Sequence, residues 1–132
     1  HISRLKPNVT YEFVAYNDKY KMEIDRRTFS TLTLDKKNVQ FVVASCMSDH
    51  FRYRHITKRI WQQIVELKPD LLLLVGDNVY VDDLDLVSRA NVSAFDIWQR
   101  YSDSINNTPI YHKKHLIPIL ATWDDHDYGV DN

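Results

Sequence analysis

At 132 residues the chain is long enough for one ordinary domain or for parts of two, and its 44% apolar and 27% charged content is that of a globular protein. A formal net charge of −1 argues against a nucleic-acid-binding patch, and no apolar run approaches the roughly 20 residues that cross a bilayer, so no transmembrane segment is expected. The single cysteine, Cys46, excludes an internal disulfide framework. The chain opens on His1 with neither Met nor a signal peptide, so both ends read as cuts.

In chain order, the first 36 residues have a pattern of their own. Tyr11 to Tyr16 alternates, Asn17-Asp18-Lys19 is a polar break, and Tyr20 to Ile24 and Thr28 to Leu34 predict a second and a third strand. So few antiparallel strands cannot hold a core, which makes them the tail of a β-sandwich domain or a hairpin appended to the next domain. Leu5-Lys-Pro-Asn-Val-Thr-Tyr11 resembles the fibronectin type III pattern in which a corner tyrosine precedes a strand.

Asp35-Lys-Lys-Asn38 breaks the pattern, and residues 37–132 read as α/β. Val39 to Ser45 is an apolar strand. Over residues 53–68, Ile56, Ile60, Trp61, Ile64 and Leu67 share one helical face, and Pro69-Asp70 ends that helix. Leu71 to Val75 is a short, continuous apolar run, the mark of a strand buried on both faces of a parallel sheet. A second helix opens near Asn91, with Phe95, Trp98, Tyr101 and Ile105 roughly in phase. After an irregular stretch from Pro109 to His115, Ile117 to Thr122 is the third parallel-type strand.

Chemistry collects where these strands finish. Cys46 comes after the first, Gly76-Asp77-Asn-Val-Tyr80 after the second, and Asp124-Asp125-His126-Asp127 after the third. In open α/β sheets ligands bind beyond the carboxyl ends of the strands, and adjacent parallel strands lie about 4.8 Å apart, so these ends can share one small volume. Carboxylates crowded together repel unless a cation neutralises them; with imidazole, phenol and thiol alongside, the set suits a transition metal. Blander readings stay open on the residues alone. Asp77 can cap a turn, Cys46 can be a small buried hydrophobe, and Tyr80 can be a packed aromatic. Asp82, Asp83 and Asp85 read as a solvent-exposed acidic loop, with a calcium site as the lesser reading. His50 and His55 flank the first helix and face solvent or a substrate.

The Gly76-Asp77-Asn-Val-Tyr80 and Trp123-Asp-Asp-His-Asp-Tyr-Gly129 runs, with Ser45-Cys46, resemble the alkaline phosphatase D (PhoD-like) branch of the calcineurin-like metallophosphoesterases. The resemblance implies a metallophosphoesterase-type βαβ sheet over 37–132, cut short at residue 132, behind the end of a fibronectin III-like β-sandwich over 1–36. It further implies a secreted, periplasmic or extracellular enzyme that hydrolyses phosphate mono- or diesters, of small molecules or lipid headgroups, with a hydroxide generated at the metals. Carried over residue by residue, Asp77 would bridge two metals, Cys46 and Tyr80 would bind ferric iron, and Asp125 with Asp124 beside it would serve the second ion, calcium. Asn132 would be a further oxygen ligand. His126 would bind metal or phosphate, or protonate the leaving group, with Asp125 beside it in the catalytic pair. The usual Asp-x-His first motif is replaced by Ser45-Cys46-Met47. A dinuclear centre of manganese, zinc or magnesium and a non-catalytic metal- or partner-binding domain are the alternatives.

Overall fold

The computed structural model describes residues 2–33, 35–82 and 93–129, which form two three-stranded sheets and two α-helices in a mixed α/β arrangement. Asn132 and the acids Asp83 and Asp85 lie outside the described residues.

The N-terminal part is a hairpin of β1 (Thr10–Asn17) and β2 (Met22–Ser30), antiparallel, with a register shift between Ala15 and Tyr16. Its turn coincides with the polar break: the Asn17 side chain accepts the Tyr20 N–H at 3.1 Å, and Lys21 takes a left-handed φ of 51°. The second and third expected strands are in fact one, running straight through Asp25-Arg26-Arg27. On an exposed hairpin those charges find partners without leaving the ladder, Arg26 with Glu12 and Glu23 and Arg27 with Asp25, so their polarity does not interrupt the strand. The Tyr11 hydroxyl accepts the Lys6 N–H at 2.8 Å, and its ring stacks on Phe29. The far edge of β2 pairs in parallel with β5 (His115–Leu116), and the Arg27 guanidinium reaches the Tyr111 carbonyl. The stretch expected to be irregular thus holds a 3-10 turn at Pro109–His112, opened by its proline, and this short strand.

The second sheet is parallel, in the order β3 (Phe41–Ala44), β4 (Leu71–Val75), β6 (Ile119–Thr122), with β4 central. Helix α1 (Arg54–Glu66) connects β3 to β4, and Lys68 at φ 49° turns the chain out of it ahead of Pro69. Leu72 and Leu74 are 0% and 3% exposed and meet Trp61 and Ile64 of α1, with Met47 and Ile110 completing the core. The opposite face is open: Val75 of β4 and Phe41 and Val43 of β3 are about half exposed. The expectation that β4 is buried on both faces therefore holds for one face among the described residues. Ile56 and Ile60 of α1 and its C-cap Leu67 likewise stay about half exposed, because the contact stripe runs through Thr57, Trp61, Ile64 and Val65 and one layer can cover only that width.

Helix α2 (Ala94–Asn107) starts with a full capping box, Ser93 and Asp96 each bonding the other's backbone N–H. The residues that fall in phase along it are not the ones it buries. Phe95 and Trp98 are exposed, stacked on one another, while Arg100 and Ser104 are the residues it buries. The reason is an ion pair. Arg100 binds Asp49 through both oxygens of the carboxylate, Asn107 adds a hydrogen bond at 2.8 Å, and the Arg100 Nε–H donates to the Tyr80 carbonyl at 2.9 Å. A bidentate, buried guanidinium orients the helix more strongly than two aromatic rings that can remain in water.

Candidate metal centre

Beyond their carboxyl ends β3 and β4 stay in step. Cys46 N–H bonds the Gly76 carbonyl at 3.3 Å and Met47 N–H bonds that of Asp77 at 2.8 Å, so the Cys46 and Asp77 loops run side by side. Both residues sit in the left-handed region, at φ 55° and 51°, with Gly76 at 110° between β4 and the acid. Non-glycine residues hold such a conformation only where the surroundings over-determine it, and such positions gather at functional sites. Here it turns both side chains to one place. The Cys46 Sγ and the Tyr80 hydroxyl each lie 3.4 Å from Asp77 Oδ2.

The third strand end is brought in by Asp127. Only 2% exposed, its carboxylate accepts the Val79 N–H (2.9 Å), the Asp124 N–H (2.9 Å) and the Asn78 side-chain amide (3.2 Å), and the Tyr101 hydroxyl donates to its carbonyl. One carboxylate thereby ties the loop after Asp77 to the short 3-10 turn Asp125–Asp127, whose N-cap is Asp124. The result is a cluster of Asp77, Asp125 and His126, whose donor atoms all lie within 4.8 Å of one another. Asp124 has a different setting. Its Oδ1 caps the turn by accepting the Asp125 N–H at 3.0 Å, and its Cβ faces Gly76.

Gly76 is required twice over. A methyl group there would come 2.7 Å from the Asp124 Cβ, and its φ of 110° disfavours any side chain. Gly76→Ala is expected to lower stability by about 1–3 kcal/mol in urea unfolding, and metal affinity with it, because the strain falls between β4 and Asp77.

Asp82 does not lie in a solvated acidic loop. It is largely buried, and its Oδ2 holds His126 Nδ1 at 2.7 Å. Burial alone would lower the His126 pKa; the hydrogen bond and charge of Asp82, with the charges of Asp77 and Asp125, outweigh it and raise the pKa above 6.5. The Tyr80 ring packs on His126 with centroids 4.3 Å apart, and burial first, then Cys46 and Asp77, pushes its phenol pKa up.

A cation suits this arrangement on a specific ground. Asp77 Oδ1, Asn78 Oδ1 and Asp82 Oδ1 are buried acceptors with no donor among the described residues, and all come from six consecutive positions. Leaving a buried carboxylate oxygen unpaired costs about 1–3 kcal/mol or more, which a bound cation would offset. Of the residues singled out in the sequence, Cys46, Asp77, Tyr80, Asp125 and His126 come together; Asp124 stands beside them as a cap. Sequence reasoning missed the roles of Asp82 and Asp127. The Asp124-x-x-Asp127 spacing is that of a capping box and could have marked Asp127; no local signal marks Asp82.

No protein-family model, curated protein or solved structure matches this chain.

Proposed function

We propose that the protein is a metal-dependent phosphate ester hydrolase whose centre is built on Asp77. The observation that carries this reading is the convergence of three strand ends on one carboxylate that keeps a buried oxygen without a protein donor. The resemblance of the same strand-end motifs to the PhoD-like phosphatases supports it from the sequence. Cys46 and Tyr80, soft and phenolic donors on either side of Asp77 Oδ2, suit ferric iron; the carboxylates of Asp77 and Asp125 suit calcium. When bound, such cations neutralise the phosphoryl oxygens and lower the pKa of a water.

The chain's own residues supply the rest. Hydrolysis joins one water oxygen to phosphorus, breaks the bond between phosphorus and the ester oxygen, and leaves an alcohol and phosphate. The departing oxygen must take up a proton. With Nδ1 held by Asp82, Nε2 is the His126 nitrogen left to deliver it, and the ring is kept in orientation by Tyr80. Asp127 acts by positioning, since its three hydrogen bonds hold the turn that carries His126 against the loop that carries Asp77. For residues 1–36, the Tyr11 hydroxyl bonded back to Lys6 supports the fibronectin III-like corner suggested by the sequence.

The full-length protein, loaded with iron and calcium, is expected to hydrolyse 4-nitrophenyl phosphate, and His126→Asn to lower kcat by about 10²–10⁴-fold with metal content retained. Metal uptake without turnover of any phosphate mono- or diester would instead favour a binding domain of this architecture.

A further inference from the structure

Beside the cluster lies a second feature that the hydrolysis itself does not use. A cavity of about 340 Å³ is lined by Ser48, His50, Arg52, Tyr53, Tyr80 and Asp82, so it shares a wall with the Tyr80–Asp82–His126 group. Its size lies at the lower end of small-molecule sites. The other lining residues come from the turn between β3 and α1, and that turn is ordered by its own side chains. His50 N–H donates to Ser48 Oγ at 3.3 Å, and Arg52 N–H donates to His50 Nδ1 at 3.2 Å. With Nδ1 accepting, the neutral imidazole carries its proton on Nε2 and offers a donor. The His50 ring makes tilted contacts with Phe51 and Tyr53, at 4.5 and 6.0 Å, and the Arg52 guanidinium lies 5.8 Å from the Phe51 ring centroid.

The charges on the two walls differ. Asp82 is the carboxylate among the described lining residues, and His126 already holds it. Arg52 has no carboxylate within ion-pair distance among the described residues; its ring contact with Phe51 steadies the guanidinium without neutralising it. One side of the cavity therefore offers a planar cation that no described carboxylate pairs, and an imidazole donor, placed next to the group that would protonate a leaving alcohol. A bidentate guanidinium is suited to a carboxylate or a phosphate.

We infer that this cavity is the leaving-group subsite, and that it selects phosphate esters whose alcohol carries an anionic group of its own, held by Arg52 and His50. The inference rests on the phosphate-ester reading above and names the substrate class for that centre. Arg52 is a specificity residue, since it meets the alcohol and not the phosphorus.

The test compares two esters with the full-length, metal-loaded protein: 4-nitrophenyl phosphate and its 3-carboxy derivative. The wild-type protein is expected to favour the carboxylated ester in kcat/KM by about ten-fold, the worth of one charge-assisted hydrogen-bonded pair. Arg52→Gln should abolish that preference mainly through KM, and Arg52→Lys should restore part of it. Equal kcat/KM for the two esters in the wild type, or an unchanged ratio in Arg52→Gln, would overturn the subsite. If neither ester is turned over, the hydrolase reading fails on its own. Calorimetry with the carboxylated alcohol, 5-hydroxy-2-nitrobenzoate, then decides the cavity separately: binding weakened about ten-fold by Arg52→Gln sustains it as an anion site, and binding unchanged by that substitution rejects it.

Discussion

Asp77→Asn is expected to abolish metal uptake while leaving the fold intact. The two halves of this expectation have separate causes. Asparagine keeps the shape of aspartate and is among the few residues that accept a left-handed backbone, so the φ of 51° at position 77 is not a new source of strain. The Met47 N–H bond to the residue 77 carbonyl is likewise untouched. What changes is charge. The amide offers one neutral oxygen where the carboxylate offers two anionic ones, and it removes the group that Cys46, Tyr80, Asp125 and His126 surround. Substituting an outer partner of a metal ligand typically costs 10–100-fold in affinity, and loss of the central ligand should exceed that. Elemental analysis of the purified full-length protein checks the metal, and far-UV circular dichroism checks the fold. With iron bound, the wild-type protein should show a visible charge-transfer band that shifts in Tyr80→Phe and Cys46→Ser. A colourless wild-type protein holding only manganese or zinc would remove Cys46 and Tyr80 from the ligand set. An Asp77→Asn protein that bound metal as tightly as wild type would remove Asp77.

The largest effect on stability is expected from Arg100→Met. Arg100 and Asp49 are both buried, their side chains 2% and 8% exposed, and Asp49 stands on the loop that leads from Cys46 to α1. Removing the cation leaves a carboxylate in the interior held only by the neutral donors Asn107 and its own backbone N–H among the described residues, which typically costs about 3–5 kcal/mol. It also frees the Tyr80 carbonyl, so the loop bearing Tyr80 and Asp82 loses its tie to α2. For a domain of this size the melting temperature should fall by about 10 °C or more. The double substitution Asp49→Leu/Arg100→Met should recover much of the loss, because two apolar groups in place of a buried pair are often neutral. Equal destabilisation in the single and double variants would mean that packing, not the stranded charge, is responsible.

The same pair sets an acid limb for the wild-type protein. Burial pushes the Asp49 carboxyl up, but the hydrogen bonds from Arg100 and Asn107 and the Arg100 charge outweigh it, so its pKa lies below the ordinary 3.8. A depressed carboxylate contributes stability that is complete above its unfolded pKa, about 3.9, and is lost as pH falls through the lower folded value. Urea midpoints measured downward from pH 5 should therefore fall more steeply in the wild type than in Asp49→Leu/Arg100→Met.

Much of the fold rests on chain-local physics. The continuous apolar runs at Phe41–Ala44, Leu71–Val75 and Ile119–Thr122 are strands, and Trp61 and Ile64 mark the inner side of α1, because a strand or helix announces itself through its own periodicity. The acids at the strand ends are legible for the same reason. Once the strands are parallel neighbours, their carboxyl ends must lie at one edge, and Asp77, Asp125 and His126 meet there. Periodicity says which side of an element is apolar, not which neighbour covers it. Thus Phe95 and Trp98 fall in phase on α2 yet stay exposed, and the helix is instead oriented by the buried pair of Arg100 with Asp49, 51 positions earlier.

The residues that the sequence concealed are the ones whose role depends on a distant partner. Asp82 reads as one more acid in an acidic loop until His126, 44 positions later, is placed against it. Asp127 reads as the tail of a motif until the backbone of Val79 turns its N–H toward it, and Arg26 falls between two expected strands until Glu12, diagonal to it on the partner strand, pairs with it. A side chain's chemistry is written in its own letter. Its charge state, burial and partner are properties of the space around it, and for this protein only the tertiary structure decides which carboxylates can hold a metal, which one orients the imidazole and which one clamps the loops together.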